Sequence, residues 1–105
     1  MVENLDQIMT KINKYIELLN QANITVEKAY LFGSFARGNA DEYSDINVAI
    51  ISDRFSGVRF DDRRMIVPLR RSIDNRIEAI PFRKEAFNTA DPLAAEILTN
   101  GVEIK

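Results

Sequence analysis

The run Ile46 to Ile51 constrains this chain more than any other segment. It has the length and composition of a strand, and apart from Asn47 its residues are apolar without alternation, so both of its faces are expected to be buried. The chain has 105 residues, 46% hydrophobic and 29% charged, which suits one compact core. A chain of that size can build one two-layer α/β unit, so residues 1–105 are read as a single domain. It has room for one site. A reaction joining two bulky substrates would need a partner to complete the pocket.

The remaining patterns supply the elements around that strand. Asn4 followed by Gln7 resembles a capping box, and Leu5, Ile8, Met9, Ile12, Ile16 and Leu19 recur at helical spacing. The stretch from Asn20 to Asn23 reads as the stop of that helix. Val26 to Phe32 alternates, is rich in β-branched and aromatic residues, and runs into Gly33, which predicts a strand ending in a sharp turn. Ser34 is placed to cap a short helical turn that Gly38, Asn39 and Ala40 break. Ser52 to Gly57 reads as a loop; Phe60, Met65, Ile66, Leu69 and Ile73 predict a helix broken or kinked at Pro68. Ile77 to Phe82 is a third strand, pushed toward an edge by Pro81. Asp91-Pro92 opens a last helix closed by Asn100-Gly101, and Val102 to Ile104 adds a short strand.

Composition removes several chemistries. The chain contains no cysteine and no histidine, so disulfides, thiolate or imidazole metal sites and imidazole acid-base catalysis are excluded. Hard-metal chemistry on oxygen ligands stays open. The amphipathic start carries Glu3 and Asp6 instead of a positive leader, and no stretch approaches membrane-spanning length, so a cytoplasmic protein with no membrane partner is expected. Net charge is -2, but residues 1–53 hold 4 Lys/Arg against 8 Asp/Glu, whereas residues 54–83 hold 8 Arg against 4 Asp/Glu. That mid-chain arginine density suits a solvated helix face with internal ion pairs, or contact with phosphates or an acidic partner. On charge alone it does not indicate a nucleic-acid binder.

The chemistry concentrates in Gly33 to Asn47. A glycine after a strand lets the backbone turn and approach a ligand, and a serine at a helix start adds a hydroxyl to free N–H groups, an arrangement that binds phosphate. Asp45 and Asn47, two apart at a strand start, project from one face, and their carboxylate and amide oxygens suit Mg²⁺. Glu78 on the third strand adds a carboxylate if that strand lies beside the second, with Ile77 and Ala79 turned away. Arg37 is a candidate phosphate contact, with an ion pair to Asp41, Glu42 or Asp45 as its alternative. Ser44 is expected to shape the strand entry through a local hydrogen bond. Asp53, Asp61 and Asp62 read as loop and helix-start residues. Tyr30, Phe32 and Phe35 read as core, leaving the base-binding surface unassigned.

Gly33-Ser34-Phe35-Ala36-Arg37-Gly38 followed by Tyr43-Ser44-Asp45-Ile46-Asn47 resembles the minimal nucleotidyltransferase domains of the DNA-polymerase-β-like superfamily, and the likeness extends through the third strand to the closing helix and strand. The resemblance implies a two-layer nucleotidyltransferase fold, a small mixed sheet with helices packed mainly on one face. It implies transfer of a nucleoside monophosphate, AMP from ATP by preference, to a hydroxyl of a protein or small molecule, with two Mg²⁺ ions held by three acids. Mapped by residue, Gly33, Ser34 and Arg37 contact the phosphates, and Asp45, Asn47 and Glu78 occupy the catalytic and metal-binding positions.

Two departures accompany the likeness. Asn47 stands where the family has a second aspartate, keeping an oxygen but losing a charge, and two Mg²⁺ ions about 3.5–4 Å apart need carboxylates to offset their repulsion. Glu78 in place of aspartate keeps the charge and lengthens the reach. At least one Mg²⁺ is expected, with nucleotide binding outliving efficient transfer. Family members of this size resemble antitoxins paired with helical HEPN-type proteins, so the competing reading is a degenerate module that binds nucleotide and masks such a partner. A homodimer is compatible with so small a domain and has no sequence signature here.

Overall fold

The computed structural model describes residues 3–105. Helix α1, Leu5–Gln21, starts at Asn4, whose side chain accepts from Gln7 N–H at 2.9 Å while the Gln7 side chain accepts from Asn4 N–H at 2.9 Å. That reciprocal pair satisfies two donors a helix start leaves unpaired. The helix buries Ile8, Ile12, Tyr15, Ile16 and Leu19, a stripe at three- and four-residue intervals. Strand β1 then runs over Lys28–Phe32, two residues shorter than its alternating pattern, because Val26 N–H is claimed by the Asn20 side chain at 3.0 Å.

Helix α2 is a single turn, Ser34–Arg37, with Gly33 as its cap residue and Gly38 left-handed at its end. Ser34 is therefore the first helical residue and not the cap, because Gly33, at φ +80°, makes the turn itself. Strand β2, Ile46–Ile51, is buried throughout except at half-buried Asn47. Helix α3, Arg59–Ile66, passes into a 3₁₀ segment, Val67–Ser72. Pro68, which has no N–H to donate, lies where the helix changes type. Strand β3 is Ile77–Phe82, helix α4 is Pro92–Asn100 with the Asp91 side chain accepting from Leu93 and Ala94 N–H, and strand β4 is Val102–Glu103.

The four strands form one mixed sheet in the order β3-β2-β1-β4, with β2 and β3 parallel and the β1 pairings antiparallel. Pro81 sits in β3, an edge of that sheet, as its missing donor requires. One face of the sheet carries Leu31, Val48, Ile50 and Ala79 against α1, with Phe55 and Ile66 in the same buried cluster. The other carries Tyr30, Ala49, Ile51 and Phe82 against Ala94 and Ile97 of α4. Most helices thus lie on one face, and α4 covers part of the second.

Long-range polar contacts fix the layers. The Tyr15 hydroxyl donates to the Ile66 carbonyl at 2.7 Å, and burial pushes its pKa up. Lys11 Nζ lies 2.7 Å from both Glu3 and Asp74, and Arg76 pairs with Asp74 at 2.7 Å and with Glu3, tying α1 to the approach to β3. Buried Asp62 accepts from Ser56 N–H at 2.8 Å, Ser56 hydroxyl at 2.9 Å and Gly57 N–H at 3.0 Å, closing the loop before α3. Among the described residues no helix is long and apolar enough to cross a membrane.

Candidate functional site

The register brings the motif residues to one end of the sheet. Phe32 stands opposite Asn47, and Asn47 stands beside Glu78, so the C-terminal end of β1 and the N-terminal ends of β2 and β3 share an edge. This row lies one step beyond the Tyr30, Ala49 and Ile80 row of the α4-covered cluster. Asn47 and Glu78 have the parity of Ala49 and Ile80, while Ile77 and Ala79 are fully buried in the α1 cluster. The local reason is the period of two along each strand.

Gly33 is required where β1 turns into α2. Its φ of +80° is rarely adopted by residues with a Cβ, and a Cβ there would meet the Asn47 side-chain nitrogen. Arg37 N–H donates to the Gly33 carbonyl at 3.0 Å and Asn39 N–H to the Ser34 carbonyl at 3.1 Å, so the turn is closed by its own backbone. Among the described residues, no hydrogen bond or ion pair engages the side chains of Ser34, Arg37, Asp45 or Asn47. The ion pair considered for Arg37 is thus not formed there. Ser44 instead shapes the strand entry: its hydroxyl accepts from Asp41 N–H at 2.9 Å, and the Asp41 carboxylate accepts from Tyr43 N–H at 2.8 Å.

Glu78 is different. One carboxylate oxygen accepts from Arg63 Nη2 at 2.9 Å and the other from Arg70 Nη1 at 3.0 Å, and Arg70 Nη1 also donates to the Ile77 carbonyl at 2.9 Å. Nothing in the motif points to these arginines. Their sequence signal is a separation close to two helical turns, which puts both on one side of a helical segment.

These contacts limit what the site can hold. Asp45 and Asn47 offer one free carboxylate and one free amide, enough oxygen to share a single hard cation with a ligand. Asn47 brings no charge, and both carboxylate oxygens of Glu78 already accept from guanidiniums. Among the described residues no three carboxylates gather as a metal cluster.

Residues 11–105 match the family model described as polymerase beta, nucleotidyltransferase. The chain belongs to this family. No curated protein matches it by sequence. Among solved structures, a Sulfolobus solfataricus protein described as a nucleotidyltransferase shares the fold at a TM-score of 0.65 and 18% identity, over 91% of this chain and 78% of that one. A toxin-antitoxin structure containing AMP-PNP matches at a TM-score of 0.66 and 21% identity, over 92% and 72%. A mutant of the toxin-antitoxin pair MntA-HpeT matches at 0.59 and 22%, over 89% and 71%. The mixed sheet and its helices are thus those of a nucleotidyltransferase fold.

Proposed function

We propose that residues 1–105 act as one minimal nucleotidyltransferase-fold domain that binds a nucleoside triphosphate, ATP by preference, at Gly33 to Asn47 and masks a protein partner. The observation that carries this reading is the state of the three acidic positions: Asp45 is free, Asn47 is neutral and Glu78 is held by Arg63 and Arg70. Phosphate recognition by Gly33, Ser34 and Arg37 needs none of those charges, whereas two-metal transfer needs them all. Binding is therefore the function best supported. Its supporting parallels are the toxin-antitoxin proteins of the same fold, one of them solved with AMP-PNP.

A partner surface is available. Val58, Phe60 and Met65 are 54%, 71% and 47% exposed on and beside α3, next to Arg59, Arg63 and Arg64. Phe60, the most exposed of them, shares a surface groove with Arg59, Arg63 and Arg64, and an apolar side chain among arginines favours a partner with an acidic face. A helical HEPN-type protein with an acidic and apolar face fits this reading.

The second reading is transfer itself, favoured by the free Asp45. In it the acceptor hydroxyl oxygen bonds the α-phosphorus of ATP, the bond from that phosphorus to the bridging oxygen breaks, pyrophosphate leaves and the hydroxyl proton passes to solvent; Asp45 and Asn47 would hold a Mg²⁺, which would offset the phosphate charge. Incubation of the chain and its HEPN-type partner with labelled ATP and Mg²⁺, beside Asn47→Asp, separates the two. Masking with nucleotide binding predicts no label transfer by the native chain and an ATP-dependent rise in melting temperature. Label on the partner from the native chain would replace it by the transferase reading, and no thermal shift with any nucleotide would remove nucleotide binding altogether.

A further inference from the structure

The arginines on Glu78 change the electrostatics of the proposed nucleotide surface. Glu78, Arg63 and Arg70 side chains are 32%, 37% and 25% exposed, so the three groups reach solvent beside Asn47. Arg63 and Arg70 are cationic, Asp45 and Glu78 anionic, and the four charges cancel. Three clustered acids would repel a polyphosphate until cations intervened, but a neutral cluster with two guanidiniums in it does not. Guanidinium forks also match phosphate oxygens in geometry and charge. Arg63 Nε is also buried without a hydrogen-bond partner. Such an orphan is uncommon in a finished structure.

We infer that Arg63 and Arg70 supply the charge that divalent ions would otherwise bring, so that the chain holds the triphosphate group of a nucleotide without a divalent metal. Glu78 is the internal counter-ion of this pair. It keeps the two arginines together while the surface is empty and gives them up to phosphate oxygens on binding. Its carboxylate competes with the ligand for the same donors and does not coordinate an ion. The inference rests on the nucleotide-binding reading above and goes beyond it by naming the residues that replace the metal.

Calorimetric titration of the full chain with ATP, and separately with inorganic triphosphate, in Mg²⁺ and in EDTA tests it. The two buffers should give affinities within about threefold of each other. In EDTA, Glu78→Gln should tighten binding by about tenfold, because the competing charge is gone, and Arg63→Gln should weaken it by about as much. Arg63 is the better arginine to change, since Arg70 also holds the Ile77 carbonyl. Binding seen only with Mg²⁺ would overturn the metal-free inference and leave nucleotide binding standing. Absence of binding in both buffers would remove both. Weaker metal-free binding by Glu78→Gln would show that the carboxylate positions the arginines without competing with the ligand, and would overturn its role as a displaced counter-ion. Should Arg63→Gln fail to fold, the Mg²⁺ and EDTA comparison and Glu78→Gln still decide the question.

Discussion

A Cβ added to Gly33 would lie 2.5 Å from the side-chain nitrogen of Asn47, so the turn residue and the strand residue occupy the site as a fitted pair. Two penalties meet at this position, the contact itself and a φ of +80°. Gly33→Ala should cost about 1–3 kcal/mol of stability and weaken nucleotide binding. Urea denaturation and calorimetry check this. Gly33→Ala combined with Asn47→Ala removes the contact but not the φ strain, so it should recover only part of the loss; full recovery would mean the backbone carries no strain there.

The ion-pair cluster joining α1 to β3 should make the protein acid-sensitive. The Arg76 guanidinium beside Asp74 holds its carboxyl well below the usual carboxylate range; burial opposes that shift and Lys11 adds to it. A carboxyl with a depressed native pKa gives stability that is fully present above its unfolded pKa of about 3.9 and is lost as pH falls from there through the native value. Unfolding free energy should therefore drop below about pH 4, and Asp74→Asn should start lower and flatten that limb. Equal acid slopes in both proteins would show that Asp74 contributes nothing to it.

Tyr15 joins α1 to the end of α3 by one buried hydrogen bond, its hydroxyl donating to the Ile66 carbonyl at 2.7 Å. Tyr15→Phe keeps the ring and leaves that carbonyl without this donor, so a loss of about 1–3 kcal/mol is expected. Chemical denaturation reads it directly. A loss near zero would mean that water replaces the hydroxyl.

Phe60 and Met65 are exposed and can be changed with little effect on the fold. Phe60→Ser with Met65→Ser should move stability by no more than about 0.5 kcal/mol per site. The same double variant should weaken capture of an acidic helical partner by about tenfold or more if those side chains anchor it. Unchanged partner affinity, measured by surface plasmon resonance, would put the docking surface elsewhere.

Elements whose signals are local were legible in the sequence. The Asn4 and Gln7 box, the Asp91-Pro92 start and the apolar residues of Ile46 to Ile51 each act within a helical turn or along one strand, and α1, α4, β2 and β3 follow them. The break near Pro68 is of the same kind. Ser34 satisfies the capping rule as a hydroxyl beside a helix start, but the backbone of Gly33 makes the turn and Ser34 is the first helical residue.

The candidate site divides along the same line. Which side chains share a face follows from the strand period, so Asp45, Asn47 and Glu78 could be assigned to one edge once β2 and β3 were known to be neighbours. What surrounds Glu78 could not. Arg63 and Arg70 reach it from a helical segment that precedes β3, and that pairing exists only because the parallel β2 and β3 leave the segment packed at the sheet edge. The sequence by itself determined the elements and the glycine turn at Gly33, because each is written in neighbouring residues. Only the tertiary structure decided that Glu78 is held by two arginines, since charge pairing depends on distance in space and not on separation along the chain.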